Sequence, residues 1–424
     1  MSQLLNELRD RGLVAAVSDE KLGELFAAER VSFYTGYDPT AASLQIGNLF
    51  AIVTMRRLQL AGHQPVIIIG GATGLIGDPS GKSAERNLLD NETIERNIAG
   101  QRRQLERLLD FDCGANSAII LNNHDWLGKF SFIEFLRDVG KRFRVGEMIA
   151  KESVKRRMES AEGISFTEFT YQMLQAYDFL HLYRAHGVKL QVGGQDQWGN
   201  VTAGIELIRK VEGASAYGMV IPLVTDAQGK KFGKSEGGTI YLDPAVTSPY
   251  RMYQYLLNSE DALVGTYLKY FTFLTLAEIA ELERQTAAQP EARAAQKVLA
   301  ESVTKLVHGA EGLRSAEQAT RIFFGERVEN LSEADLAAVF ADVPSVTIPR
   351  ARLEAGLNVA ELLAETPLFK SKGEARRALA QKGVYLNNTP LDTPDLTVTC
   401  AHLATPTTLV LRKGKKNYCL VRTE

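Results

Sequence analysis

The chain has few of the residues that build metal centres and covalent frameworks. Three cysteines (Cys113, Cys400, Cys419) and six histidines are spread over 424 residues with no Cys-x-x-Cys or comparable spacing. That argues against a structural zinc site or a disulfide-stapled scaffold and fits a reducing compartment. Long apolar runs are missing too: nothing approaches the roughly 20 residues that span a bilayer, and the start MSQLLNELRDRGLV puts acidic residues where a signal peptide has its apolar core. A cytoplasmic protein with no membrane partner is expected. Net charge is small, −2 at pH 7, and hides an asymmetry. Residues 366–387 hold Lys370, Lys372, Arg376, Arg377 and Lys382 against Glu374, while residues 401–424 hold Arg412, Lys413, Lys415, Lys416 and Arg422 against Glu424. Two clusters of +4 each at one end of an acidic chain suit a polyanionic partner, although either alone also suits a solvated surface.

With 45% hydrophobic residues the chain can bury several cores, about three at ~150 residues per domain. From residue 31 to about 225, short β-branched or aromatic runs (VSFYTG, PVIIIGG, SAIILNN, VKLQVGG, GMVIPLV) alternate with helical stretches. This alternation predicts an open parallel α/β sheet of the Rossmann kind, whose ligands sit beyond the carboxyl ends of the strands. Residues 1–225 are therefore expected as one Rossmann-like α/β domain and 226–246 as a mobile loop and linker. Apolar residues then recur at helical spacing over 247–325, a helical domain; 326–351 turns Pro- and β-branched-rich, as a linker does; and 352–424 reads as a small α+β domain.

Four segments could carry chemistry. IGGATGLIGDPSGKS (69–83) misses both the dinucleotide fingerprint and the phosphate-binding P-loop by one residue, leaving a glycine-dense strand exit with Asp78, Lys82 and Arg86. In FTEFTYQMLQAYDF, Phe166, Phe169, Met173 and Tyr177 form an apolar stripe, and Tyr171, Gln175 and Asp178 fall in register on another face. That face carries neither Lys nor Glu, so a recognition surface is favoured over a merely solvated one. VGGQDQWGN (192–200) sets Gly194, Asp196 and Gln197 at a strand end, with Asn200 as a helix cap; a polar turn without a ligand has the same composition. GKKFGKSEGG (229–238) offers Lys231, Lys234 and Ser235 in a glycine-flanked loop that could swing onto phosphate oxygens or remain an ordinary basic loop.

Taken together with the stretch YTGYDPTAASLQIGNLF (34–50), these segments resemble the bacterial tyrosyl-tRNA synthetases, class I aminoacyl-tRNA synthetases, over essentially the whole chain. ATGLIGDPSGK, ISFTEF, DQWGN, KFGKS with EGG, and TSPY follow that family's order and spacing. QIGN resembles the first class signature, normally His-Ile-Gly-His, and KFGKS the second, normally Lys-Met-Ser-Lys-Ser. Gln45 and Asn48 in place of histidine, and Gln195 in place of the usual serine, are departures that bear on rate.

The resemblance implies ATP-dependent activation of tyrosine and its transfer to tRNA(Tyr). It implies that Tyr34 and Asp178 hold the substrate phenol, and that Asp78, Tyr171, Gln175 and Gln197 surround its ammonium. Gly36, Asp38, Gly47, Gly194, Asp196 and Lys234 would receive ATP, and Thr40, Gln45, Asn48, Lys82, Arg86, Lys231, Lys234 and Ser235 would handle the phosphates. No protein metal ligand is expected, so Mg2+ would arrive with ATP. The segment LFKSKGEARRALAQKGVYLNN resembles a ribosomal-protein RNA-binding module, which makes Lys370, Lys372, Arg376, Arg377, Lys382, Arg412, Lys413, Lys415 and Lys416 RNA contacts, with 247–325 holding the anticodon. Family members are homodimers. Two alternatives stand beside this reading: a weakened paralogue serving as an RNA-binding protein, and an enzyme for another aromatic amino acid such as tryptophan.

Overall fold

Each of the five β-branched runs becomes a strand, because a parallel strand buried on both faces needs continuous apolar sequence. The computed structural model describes residues 3–80, 89–235, 238–329, 331–340 and 343–424. β1 (Ala16–Val17), β2 (Ser32–Tyr37), β3 (Gln64–Ile69), β4 (Ile119–Asn122), β5 (Val188–Gly194) and β6 (Tyr217–Ile221) form one sheet in the order β1-β6-β5-β2-β3-β4. β2 to β6 run parallel, in register pairs such as Tyr34 with Val66 and Gly193 with Val220; the two-residue β1 is an antiparallel edge that no sequence periodicity announces. The strand order reverses between β2 and β5, which makes the crevice above those two the natural ligand position of an open α/β sheet.

Two long helices cover that crevice's flank. Phe166–His186 is capped by Ser165, whose hydroxyl accepts from Glu168 N–H, and ends on Gly187 in the left-handed region. Trp198–Glu212 lies beside it, and Gly204 permits the approach, since a Cβ there would meet the Phe179 ring at 2.9 Å. Phe179 is fully buried within a core of Val66, Ile68, Leu180, Leu182, Val188, Leu207 and Ile208. A buried ion pair fixes the start of the first helix, Arg157 reaching Glu168 at 2.7 Å with both side chains only 2% exposed.

Residues 247–325 are helical (Pro249–Leu257, Asp261–Phe271, Leu276–Ala288, Ala294–Phe323), the last helix broken at Gly309 with φ 74°. By packing, the chain forms two units, residues 1–246 with 259–299 and residues 247–258 with 300–424, so this helical stretch is shared between them. The second unit contains β9 (Ser345–Ile348), β10 (Leu357–Asn358), β11 (Val384–Leu386), β12 (Thr389–Pro390), β13 (Thr397–Val398), β14 (Thr408–Lys413) and β15 (Asn417–Thr423). Its five-stranded sheet has the order β12-β11-β14-β15-β9, with β10 and β13 as a separate ladder. Here the stretch expected as a linker differs: its β-branched run is β9, paired parallel to β15, because Val346 and Ile348 find an apolar sheet face to cover. One face of the sheet, with Val410, Tyr418 and Leu420, packs on Ala319, Ile322, Leu336 and Phe340.

Candidate functional site

A cavity of about 410 Å³ opens above the carboxyl ends of β2, β3 and β5, wholly within the first unit. Its lining includes Tyr34, Gly36, Asp38, Thr40, Gln45, Gly47, Asn48, Asp78, Tyr171, Gln175, Asp178, Gly194, Asp196, Gln197, Lys231 and Lys234. Nearly every residue singled out in the first half of the sequence therefore converges on one basin. Lys82 and Arg86 lie outside the described residues, as does the side chain of Ser235. Gln195 is exposed and does not line the cavity.

The deep end is built around Asp178. The Phe166–His186 helix turns its polar face inward: Tyr171 and Asp178 are buried, whereas Phe166, read as part of an apolar stripe, is 65% exposed. Asn123 Nδ2 donates to Asp178 Oδ2 at 3.0 Å and Trp126 Nε1 to Oδ1 at 2.7 Å. Burial nevertheless pushes the Asp178 carboxyl up to about 7, against the opposing pull of those two donors and with a further push from Asp38. Beside it the Tyr34 hydroxyl is buried without a hydrogen-bond partner among the described residues, and its phenol is driven well above its ordinary range by desolvation and then by Asp178. A carboxylate and a phenol oxygen lacking a third partner are the complement of an incoming hydroxyl.

The middle of the basin is a polar cluster. Gln197 Nε2 donates to Asp78 Oδ2 at 2.6 Å, and Ser80 N–H to Asp78 Oδ1 at 2.9 Å. Asn200 Nδ2 donates to Gln175 Oε1 (3.0 Å) and Gln197 Oε1 (3.1 Å). Asn200 is thus not the cap of its helix; the helix begins at Trp198 after Gln197, which leaves Asn200 buried in the first turn, where it aligns two amides. Tyr171 gives its hydroxyl proton to Asp38 Oδ2 at 3.0 Å, so its oxygen faces the basin as an acceptor, which suits an ammonium group.

At the open end the helix Ile46–Leu60 points its amino terminus into the cavity. Gln45 N–H donates to Asn48 Oδ1 at 2.9 Å, which commits the Asn48 carbonyl oxygen and leaves its NH2 to face outward as a donor. With the positive end of the helix dipole, this is an anion-receiving corner. Space beyond Gly36 is open, with nothing within 4 Å of a hypothetical Cβ. The second lysine loop is tied to the same corner: Ile46 N–H donates to Ile240 O, and Leu242 N–H to Leu44 O. Lys231 and Lys234 are exposed on either side of buried Phe232, whose ring packs on Tyr267 (4.6 Å) and Phe271 (5.0 Å). Phe232 thus anchors the loop while its neighbours reach solvent.

Thr73, Asn123, Trp126 and Gln191 also line or support the basin but were not singled out from sequence. Asn123 had a usable signal, a polar residue immediately after an apolar parallel strand. In the second unit the basic residues divide. Lys370, Lys372, Arg376, Arg377, Lys382, Lys415 and Lys416 are exposed. Arg412 is only 8% exposed, its guanidinium 3.7 Å from the Tyr385 ring centre, and Lys413 bonds Glu374 at 2.8 Å over the Phe369 ring. Arg412 shares the face of β14 with buried Val410, whereas Lys413 points to the opposite face, engaged by Glu374 but still 35% exposed.

Comparison with known proteins follows the same division. Residues 27–325 match the family described as tRNA synthetases class I (W and Y), and residues 335–421 match the tyrosine–tRNA ligase SYY-like C-terminal domain. The tyrosine–tRNA ligase of Roseiflexus castenholzii is 51% identical, covering 100% of both chains. That of Geobacillus stearothermophilus is 52% identical over 99% of each. Among solved structures, a C-terminally truncated mitochondrial tyrosyl-tRNA synthetase from Aspergillus nidulans superposes with a TM-score of 0.68 at 30% identity, covering 76% of this chain and 94% of its own.

Proposed function

The chain belongs to the class I tyrosine–tRNA ligases, and from that premise we propose how its residues divide the work. The overall reaction is activation of tyrosine by ATP and transfer of the tyrosyl group to tRNA. In the first step the tyrosine carboxylate attacks the α-phosphorus of ATP and pyrophosphate leaves; in the second a ribose hydroxyl of the tRNA end displaces AMP.

The buried, unpartnered Tyr34 hydroxyl beside the Asp178 carboxylate carries the assignment of the substrate phenol to the deep end. An analogue lacking the hydroxyl would leave the Tyr34 hydroxyl without a partner and take one hydrogen bond from Asp178, so phenylalanine is discriminated against; the handling of tyrosine against phenylalanine by this family is a standard illustration of that effect. Asp78, Tyr171, Gln175 and Gln197 take the ammonium, held in place by the bonds of Gln197 to Asp78, Tyr171 to Asp38 and Asn200 to Gln175. Gly36, Asp38, Gly47, Gly194 and Asp196 line the side open to ATP, while Thr40, Gln45, Asn48, Lys231 and Lys234 meet the phosphates, with Lys82, Arg86 and Ser235 assigned by resemblance alone. Charge develops on the departing pyrophosphate, and donors aimed there act mainly in the transition state. Mg2+ belongs to the ATP complex, held by phosphate oxygens and water, and supplies further neutralisation of that charge.

The exposed basic residues of the second unit take tRNA phosphates, with helices of 247–325 at the anticodon. A homodimer is favoured by the helix Phe132–Asp138, which buries none of its residues and leaves Phe132 64% and Ile133 70% exposed, alongside exposed Val145, Met158 and Phe166. No helix among the described residues is long and apolar enough to cross a membrane, and a cytoplasmic location accords with reduced cysteines. Pyrophosphate exchange measured with tyrosine, phenylalanine and tryptophan in turn tests the reading: exchange with tyrosine alone is expected, and exchange no faster than a no-enzyme control, or driven by tryptophan, overturns it.

A further inference from the structure

The deep end of the basin and its polar middle are joined by a continuous line of hydrogen bonds. Tyr171 Oη donates to Asp38 Oδ2 (3.0 Å), and Thr73 Oγ1 donates to Asp38 Oδ1 (2.9 Å). Asn123 Nδ2 donates to Thr73 Oγ1 (3.0 Å) and to Asp178 Oδ2 (3.0 Å), and Trp126 Nε1 closes the line on Asp178 Oδ1 (2.7 Å). Every polarity along it is determined. Asn123 Oδ1 accepts from Ala72 N–H at 2.8 Å, so its NH2 must face Thr73 and Asp178. Thr73 has one proton, and that proton goes to Asp38, which frees its oxygen to accept from Asn123. Thr73 is 3% exposed and Asn123 is fully buried, so neither can exchange these partners for water. The line also explains a glycine: a Cβ on Gly70 would lie 2.3 Å from both Asp38 Oδ1 and Thr73 Oγ1, so a side chain at 70 would break the link.

We propose that Thr73 is a positioning residue that makes the Asp38–Tyr171 pair in the middle of the basin and Asp178 at its deep end one mechanical unit, so that a change at one carboxylate is felt at the other. The inference rests on the assignment of the phenol to Asp178 and of the ammonium and ATP to Tyr171 and Asp38 for its functional consequence, but the coupling itself belongs to the ligand-free protein. Replacing Thr73 by Val keeps the shape and removes both hydrogen bonds; Thr73→Ser keeps them.

Trp126 reports on the line through its indole N–H, and Trp198, the only other tryptophan, serves as the internal control. In the ligand-free full-length protein, Y171F is expected to shift the Trp126 indole resonance in the otherwise unaltered sequence and in the T73S background, and not in the T73V background. In tyrosine-dependent pyrophosphate exchange, Y171F and N123A are expected to be non-additive by about tenfold with Thr73 present and additive within about twofold in T73V. T73V alone should lower the tyrosine-to-phenylalanine ratio of kcat/KM about tenfold, with T73S restoring it. A Y171F shift of the Trp126 resonance that persists unchanged in T73V, or no shift in any background, overturns the proposal. Coupling seen in the resonance without any tyrosine-dependent exchange would instead leave the line standing and sink the assignment of substrate.

Discussion

Asp178 is a carboxyl group whose surroundings oppose its charge while its proposed task requires it. Burial raises it to about 7, so near neutral pH the empty site holds it partly protonated. A protonated carboxyl accepts the substrate hydroxyl's proton poorly; binding of the phenol favours the ionised form. Tyrosine affinity is therefore expected to fall as pH drops through about 7, approaching roughly tenfold per unit well below it, with phenylalanine affinity changing little. For stability the sign is opposite: a carboxyl raised above its unfolded value of about 3.9 stabilises the fold fully at low pH and loses that contribution as pH rises through the folded value near 7. Calorimetric titration of tyrosine at several pH values checks the first statement. Asp178→Asn should both weaken tyrosine and flatten the pH profile, and a profile unchanged by that substitution would place the titrating group elsewhere. Gln45 gives a second test at this scale. It is the N-cap of the helix whose amino terminus opens into the cavity, outside the deep pocket, where the phosphates are proposed to lie. Gln45→His is expected to change the adenylation rate constant by up to ten- to a hundredfold, the range of one hydrogen bond to a charged group at about 1.5–3 kcal/mol, while tyrosine affinity stays within about twofold. Rapid-quench measurement of adenylate formation beside equilibrium tyrosine binding separates the two.

Among the elements, the helix Phe166–His186 carries the most consequence because it supplies Tyr171, Gln175 and Asp178 together. Its first turn is secured by a bidentate pair, Arg157 Nη2 to Glu168 Oε2 at 2.7 Å and Nε to Oε1 at 3.3 Å. Both side chains are removed from water, so Glu168→Ala leaves an arginine charge without its counterion and should destabilise by about 3–5 kcal/mol. A melting temperature roughly ten degrees lower is expected, with R157M added to E168A restoring part of it. Equal melting temperatures for E168A and the parent protein would mean that the pair contributes nothing. The same helix marks where sequence patterns end. Its register of Tyr171, Gln175 and Asp178 was legible, but which face is inside was not: the exposed Phe166 and buried Asp178 invert the usual rule, because a ligand cavity takes the place of a core. Parallel strands were legible because each is a continuous apolar run. β1 and β9 were not, since an edge of two to four half-exposed residues has no pattern until its partner strand is known. Likewise Asn123 and Trp126 were not singled out, because only folding brings them to a carboxylate more than 50 positions away.

At the scale of the whole molecule two surfaces are proposed to meet partners, a second copy of the chain and tRNA. Exposed Phe132, Ile133 and Phe166 are too apolar for a face left in water, and F132D with I133D is expected to shift the protein from dimer to monomer in analytical ultracentrifugation, whereas a parent protein that is already monomeric refutes that arrangement. The basic surface requires a subtler probe than deletion. Removing everything from residue 352 would strip β11, β14 and β15 from β9 and uncover Ala319, Ile322 and Phe340, which pack on Val410, Tyr418 and Leu420. Loss of tRNA charging after that deletion could then come from a damaged core instead of missing contacts. Charge removal on the intact fold avoids the ambiguity. Arg376, Arg377, Lys415 and Lys416 are exposed, whereas Arg412 and Lys413 are bound internally and are left alone. Replacing the first four together with alanine is expected to leave tyrosine-dependent pyrophosphate exchange within about twofold. It should weaken tRNA binding by at least tenfold and flatten its dependence on salt, since each lost phosphate contact takes away close to one released counterion. If binding weakens with the salt slope unchanged, these residues do not touch phosphate. If exchange falls in step with binding, the second unit is acting on the adenylation site, and the division of labour between the two units is wrong.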